Sequence, residues 1–374
     1  MLQQPLDQQR QQKAREYARL TRRAFFAKLV LGAAFFFALL LSGLSVDLGG
    51  ILGSSQPARV ALYFTIVMFS YTILSAPLGF YRGFVLPHRY GVSHQGWRSW
   101  LVDETKKEVL SLVLGCGLVV VIYQFIDTFP QSWWLLSFSF MALLTVVLTN
   151  LAPVLILPLF FRLEPLAESD LRERLLRLAK NCQTKIKDVF LINLGSKTTA
   201  GNAAVMGLGN TRRIIISDTL LEHYTPDEIE VIMAHELGHH IHGDIMKFIG
   251  VQSALMLFGF YLAHLVLNWA APKLGIAGIS DVAALPVLVL VFVAFSLAMM
   301  PLTNAYMRNR ENAADRYALA ATDNPMVFAN MLAKLTDQNL AESEPARWAE
   351  LLFYDHSPYS KRVKQTQRYQ REES

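Results

Sequence analysis

The sequence predicts a mainly α-helical, polytopic membrane protein with about six spans and one small α+β domain. Three observations carry this. Of 374 residues, 53% are hydrophobic and 17% charged, where an ordinary soluble domain carries about 25% charged residues. The apolar residues come in long charge-free blocks, not spread as soluble cores would spread them. The polar residues gather in segments 162–247 and 308–374, which hold the strand patterns and the chemical motifs. The balance excludes a disordered or collagen-like chain. Two cysteines, Cys116 and Cys182, exclude a disulfide-rich scaffold and a multi-cysteine zinc fold. The net charge of +5 is modest and lies beside the apolar blocks, so it does not indicate nucleic-acid binding.

A helix needs about 20 apolar residues to cross the hydrocarbon core. Residues 1–28 precede the first block and hold seven basic side chains from Arg10 to Lys28. They read as a cytoplasmic topology signal, with an amphipathic helix on anionic lipid as the alternative. Four blocks follow within 29–161, which reads as an N-terminal membrane domain: 29–46, 60–81, 109–126 and 128–161. The fourth is longer than one span and carries Pro153 and Pro158 near its end. Residues 162–374 read as a second domain that includes two further spans, 248–272 and 282–307. The connections 47–58 and 127–133 have no Lys or Arg, and 273–281 has only Lys273. The positive-inside rule therefore puts both termini, 162–247 and 308–374 in the cytoplasm.

Within the polar segments, Leu171, Leu175 and Leu178 form one stripe of a helix over 167–182. Residues 188–194 and 212–217 read as strands. Residues 195–210, rich in Gly, Ser, Thr and Asn, read as a loop or irregular edge. Thr225-Pro226-Asp227-Glu228 is a helix start with a capping box. The tail after Arg308 reads as helices, and 365–374 is polar enough to fray.

The capped helix runs into His235-Glu236-Leu237-Gly238-His239. Two imidazoles at i and i+4 share a helix face and can converge on one tetrahedral Zn²⁺. Glu236, beside the first ligand, can take a proton from a zinc-bound water. His240 points off that face. His242 lies about two turns from His235, too far to share one ion. The third ligand is therefore expected from a distant segment. Glu311, just beyond the sixth span on the same side, is the best candidate. Asp315 lies one turn on and can accept a hydrogen bond from a ligating imidazole. Ala313 and Ala314 permit close helix approach.

Together, His235/Glu236/His239 and Glu311/Asp315 resemble the signature of the membrane zinc endopeptidases typified by the type I CAAX prenyl protease. The likeness extends through Pro165-Leu166, 188–193, Gly201-Asn202-Ala203, the run from Arg213 to Leu221, and the segment from His356 to Arg362. Upstream, Phe80-Tyr81-Arg82, Arg89-Tyr90-Gly91 and Lys106-Lys107 are similar to the family's membrane half. The resemblance implies a gluzincin-type zinc peptidase domain with one Zn²⁺ held by His235, His239 and Glu311. It implies Glu236 as general base, His356 as a catalytic group at the oxyanion, and Asp315 behind the ligands. It implies Asn202 and Ala203 on an edge strand that pairs with substrate, and Arg362 bracing the site or binding a substrate carboxylate.

The expectation is a membrane-embedded zinc metalloendopeptidase. Its substrates would be membrane-associated or lipidated polypeptides, in CAAX-type processing or membrane-protein quality control. Its surroundings would be the lipid bilayer, with no nucleic acid and no obligate protein partner, in a bacterial-type cell membrane rather than the endoplasmic reticulum. The rival readings are a zinc-binding membrane sensor and an inactive scaffold. The outer loops are too short to hold a sensor's ligand domain, and the ligand set and base are intact. A site that lies within a span is disfavoured by the charged residues Glu222, Asp227, Glu228, Glu230 and Asp244 around the motif.

Overall fold

The computed structural model describes residues 6–53, 55–207 and 212–373. In its first half, α1 (Gln8–Leu41), α2 (Leu44–Ile51) and α3 (Gln56–Phe80) are followed by a π-helical turn over Tyr81–Val85. Then come α4 (Leu86–Arg89), α5 (Trp97–Thr128) and α6 (Trp133–Leu151). A second π turn, Ala152–Ile156, contains Pro153 and leads to α7 (Leu157–Phe160), where Pro158 sits in the first turn. The long fourth block is thus one span whose prolines remove backbone donors and loosen the ladder near its end.

The second half begins with β1 (Leu163–Pro165), α8 (Asp170–Asn181) and β2 (Val189–Ile192). It continues with β3 (Ala203–Met206), β4 (Arg213–Ser217), α9 (Asp218–His223) and α10 (Pro226–Ile241). It closes with α11 (Asp244–Ala270), α12 (Leu285–Thr322), α13 (Pro325–Gln338), α14 (Arg347–Phe353) and α15 (Tyr359–Glu373). The described residues include six helical segments long and apolar enough to cross a membrane. Each expected span overlaps one of them, and 29–46, 128–161 and 248–272 run past the helix ends at Leu41, at Trp133 and Phe160, and at Ala270. The basic segment is not a separate element: α1 carries it as a continuous helical extension of the first span.

The described strands form a sheet of order β1-β2-β4-β3. β2 and β4 pair in parallel, while β1 and β3 pair antiparallel to them. The expected strands are β2 and β4. β1 has only three residues, one of them proline, and β3 is Ala-Ala-Val-Met, so neither has the alternation that marks a strand. Their partners create them. The stretch read as a loop over 195–210 therefore contains an edge strand, and its last three residues lie outside those described.

Two apolar cores result. One packs α1, α3, α5, α6, α11 and the start of α12 around Tyr63, Tyr123 and Trp133. The other packs the sheet against α8, α10, α13 and the end of α12 around Leu175, Ile214, Ile216, Met233 and Phe328. Helix α12 belongs to both, as a single helix of 38 residues. Its apolar half lies in the first core and its polar end carries Glu311 and Asp315 into the second.

Candidate metal centre

The start of α10 is fixed by its capping box. Thr225 accepts from the Glu228 backbone N–H at 3.3 Å, and Glu228 accepts from the Thr225 N–H at 2.9 Å, an arrangement worth about 1 kcal/mol. From that start the helix turns His235 and His239 onto one face, with ring centroids 4.9 Å apart. Helix α12 crosses there at close range. A Cβ added at Gly238 would stand 3.2 Å from the Ala314 Cα and 3.2 Å from the Tyr317 Cβ. The two backbones therefore approach through Gly238 and Ala314, and this brings Glu311 under the imidazoles.

Glu311 Oε2 lies 3.2 Å from His235 Nε2, and its Oε1 lies 3.3 Å from His239 Nε2. One ligand atom of each of the three lies within 4.8 Å of the others. Atoms bound about 2.0–2.1 Å from a tetrahedral zinc stand about 3.3 Å from one another. A direct N–H···O pair would close to about 2.9 Å. Glu311 Oε2 is also buried without a hydrogen-bond partner, and a cation would satisfy it. Donor type, spacing and the orphaned oxygen all fit zinc.

Behind each imidazole stands a carboxylate, and behind each carboxylate an arginine. Asp315 Oδ1 lies 2.9 Å from His235 Nδ1, within ion-pair reach although not aligned as a hydrogen bond. Arg362 donates to both Asp315 oxygens, at 2.7 and 2.6 Å. On the other side, Asp244 Oδ2 lies 2.9 Å from His239 Nδ1, and Arg310 donates to Asp244 Oδ1 at 2.7 Å. The sequence reading found Asp315 and missed Asp244. The signal was Gly243, whose φ of 65° turns the chain between α10 and α11 and aims Asp244 back at His239. Glu311 pairs with neither neighbouring arginine. Arg310 is held by Asp244, and Arg308 is buried, donating to the carbonyls of Glu350 and Tyr354 at 2.9 and 2.6 Å.

A cleft of about 400 Å³ opens beside these residues. Glu236 lines it, as do Asn202, Ala203, His356 and Arg362, with an apolar flank of Leu220, Ile232, Met331, Leu332 and Leu335. Burial pushes the Glu236 carboxyl above its ordinary range, and His235 and His239 pull it down. His356 is exposed on the rim, its Nε2 3.2 Å from Glu311 Oε2 and its Nδ1 2.9 Å from Asp355 Oδ1. The arginine clamp from Arg308 fixes the backbone just ahead of it.

β3 forms the edge of the sheet beside the cleft. Ser217 N–H donates to the Asn202 carbonyl at 3.0 Å, so that pair is bonded across β3 and β4. In an antiparallel ladder the next residue then turns its N–H and C=O outward. Ala203 is that residue. The backbone N–H and C=O of Val205 turn outward as well, and its carbonyl accepts from His240 Nε2 at 3.1 Å. His240 thus serves the strand and not the metal, and burial keeps its pKa low. His242 packs against the Tyr317 ring. Gly201 is held by Asn339, which accepts from its N–H at 3.0 Å and donates to its carbonyl at 3.4 Å.

Comparison with known proteins places this geometry. Residues 165–370 match the profile described as peptidase family M48, and residues 1–162 match one described as the CAAX prenyl protease N-terminal domain, five membrane helices. The chain is 28% identical to the uncharacterized metalloprotease YhfN of Bacillus subtilis, over 95% of this chain and 85% of that protein. It is 28% identical to a CAAX prenyl protease 1 homolog of Oryza sativa, over 79% of this chain and 70% of that protein. The crystal structure of S. mikatae Ste24p superposes with a TM-score of 0.86, at 20% identity, over 96% of this chain and 90% of that one.

Proposed function

The chain belongs to peptidase family M48 and is a multi-pass membrane zinc metalloprotease; on that premise we propose that it is an endopeptidase of membrane-associated or lipidated polypeptides, with its cleft facing the cytoplasm. His235, His239 and Glu311 would hold the zinc. When bound there, zinc supplies Lewis-acid polarisation and lowers the pKa of water to near neutrality. Glu236 takes the proton of the attacking water and later returns it to the leaving amine. Its burial raises its basicity toward that task. His356, on the rim, donates a hydrogen bond to the developing oxyanion. Asp315 and Asp244 orient the two imidazoles, and Arg362 and Arg310 hold those carboxylates in turn. The outward N–H and C=O of Ala203 pair with an extended substrate, while Asn202 and the apolar flank set its register.

The observation that carries the reading is the His-His-Glu cluster at tetrahedral spacing, with Glu236 and a sheet edge in one cleft. The basic connections on the cleft's side support the cytoplasmic orientation, and a bacterial-type cell membrane is the expected location. Residues 29–161 serve as the membrane domain, and 162–374 as the peptidase domain with two spans of its own.

The test is zinc content and peptide cleavage of detergent-purified protein, wild type beside Glu236→Gln. Prenylated and unprenylated peptides of one sequence serve as substrates. One zinc per chain in both proteins, with cleavage by wild type alone, is the expected result. Cleavage restricted to the prenylated peptide assigns CAAX-type processing, and cleavage of both assigns a broader membrane-protein role. Zinc with no cleavage of either peptide by wild type would return the sensor or scaffold reading.

A further inference from the structure

The basic extension of α1 does more than mark topology. Arg15, Arg19 and Arg23 recur every four residues, so they form one stripe along the helix. All three are exposed, and none has an ion-pair partner among the described residues. The stripe borders a groove of about 780 Å³. Its far wall is Trp348 of α14, a helix from the other half of the chain, and Trp348 is 51% exposed. Arg22 stacks over the Trp348 ring at 5.7 Å and pairs with Glu342 at 3.0 Å, so this arginine and this acid neutralise each other. Three arginines then remain in the groove against one acid, Glu16. A topology signal needs only positive charge near the span. This site adds concavity and an aromatic wall contributed by a distant segment.

Its depth names the ligand. Ala24-Phe25-Phe26-Ala27 directly follows Arg23, and beyond Lys28 the uncharged run of the first span begins at Leu29. The exposed Phe26 closes the membrane-side end of the groove. Tryptophan and arginine at this level stand among lipid headgroups. Guanidinium forks match phosphate oxygens in geometry as well as charge. We propose that this groove binds the headgroup of an anionic phospholipid, with its phosphate on Arg15, Arg19 and Arg23 and its glycerol region against Trp348 and Phe26.

The test uses the full-length chain in a neutral detergent, titrated with dioctanoyl phosphatidylglycerol and followed by native mass spectrometry. Dioctanoyl phosphatidylcholine, inorganic phosphate and hexaglutamate are the comparison ligands. Each basic side chain near an anionic lipid contributes about a factor of five. The triple variant Arg15→Gln/Arg19→Gln/Arg23→Gln is therefore expected to lose roughly 100-fold in affinity for phosphatidylglycerol. Arg19→Gln alone should lose roughly fivefold and guards against a folding effect. Arg98→Gln/Lys106→Gln, on the same membrane face, should lose nothing. Equal affinity of wild type and triple variant for phosphatidylglycerol would overturn the site. Phosphate or hexaglutamate binding as tightly as the lipid would overturn the lipid assignment.

Discussion

Glu236 and Glu311 meet the same pair of imidazoles from different helices, and their surroundings separate their tasks. Glu311 is 4% exposed and reaches both Nε2 atoms, which suits the proposed ligand. Glu236 lines the cleft, which suits the proposed base. In the proposed mechanism Glu236→Gln keeps the zinc and lowers kcat by about 10²–10⁴-fold, read by metal analysis and peptide hydrolysis on one preparation. Glu311→Gln should lose the metal as well. Asp244→Asn and Asp315→Asn should each weaken zinc affinity or activity by roughly 10–100-fold, measured by competition with a chelator. If Asp244→Asn leaves affinity unchanged, the carboxylate behind His239 is not part of the site. The two histidines and Glu236 were legible because helical spacing alone puts them together. Glu311 was legible from its place beyond a span. Asp244 and Arg310 were not, because they meet only through the turn at Gly243 and the crossing of α12.

At the level of elements, the crossing of α10 and α12 and the edge of β3 decide whether the site exists. Gly238→Ala places a methyl 3.2 Å from the backbone of Ala314, and a backbone atom of a packed helix has little room to move. The cost should be about 1–3 kcal/mol, seen as a lower Tm and a weaker hold on zinc. At the sheet edge, Ala203→Pro removes an outward N–H without removing a bond to β4, and proline is tolerated on such an edge. The variant should keep its zinc and its Tm and lose about tenfold in kcat/KM, the worth of one hydrogen bond to substrate. Unchanged kcat/KM would mean that substrate does not pair at this strand. The sheet also carries a pH-dependent fastening. The Val189 N–H and then Arg172 hold the Asp188 carboxyl below its ordinary pKa. Its contribution is thus present above the unfolded value near 4 and lost as pH falls through the lower folded value. The Tm gap between wild type and Asp188→Asn should narrow on acidification toward pH 3. A sequence reading finds β2 and β4 because they are β-branched and apolar. It reads β3 as loop because the short run Ala-Ala-Val-Met becomes a strand only when β4 lies beside it.

Over the whole molecule, the six spans and their order were legible from hydropathy, since a bilayer demands the same apolar length of each. The sharing of α12 between two cores was not, because nothing local marks where a span ends within a continuous helix. That sharing ties the cleft to one membrane face and leaves three short connections at the other. The structure gathers those far ends together. Arg59 pairs with Asp281 at 3.4 Å, and Ser45 donates to the Ala283 carbonyl at 2.7 Å while its hydroxyl meets that of Tyr63. These contacts place α2, the start of α3 and residues 281–284 on one side, opposite His235 and Glu311. In the proposed cytoplasmic orientation of the cleft that is the outer side, and labelling in intact cells can test it. In a background of Cys116→Ser/Cys182→Ser, the exposed Ala277 and Glu222 each serve as a reporter position. Ala277→Cys should react with a membrane-impermeant maleimide from outside, and Glu222→Cys should react only after the membrane is opened. The reverse pattern would turn the protein over. The zinc cleft and the arginine groove would then face outward together, because α12 and α1 anchor both to the same side of the bilayer.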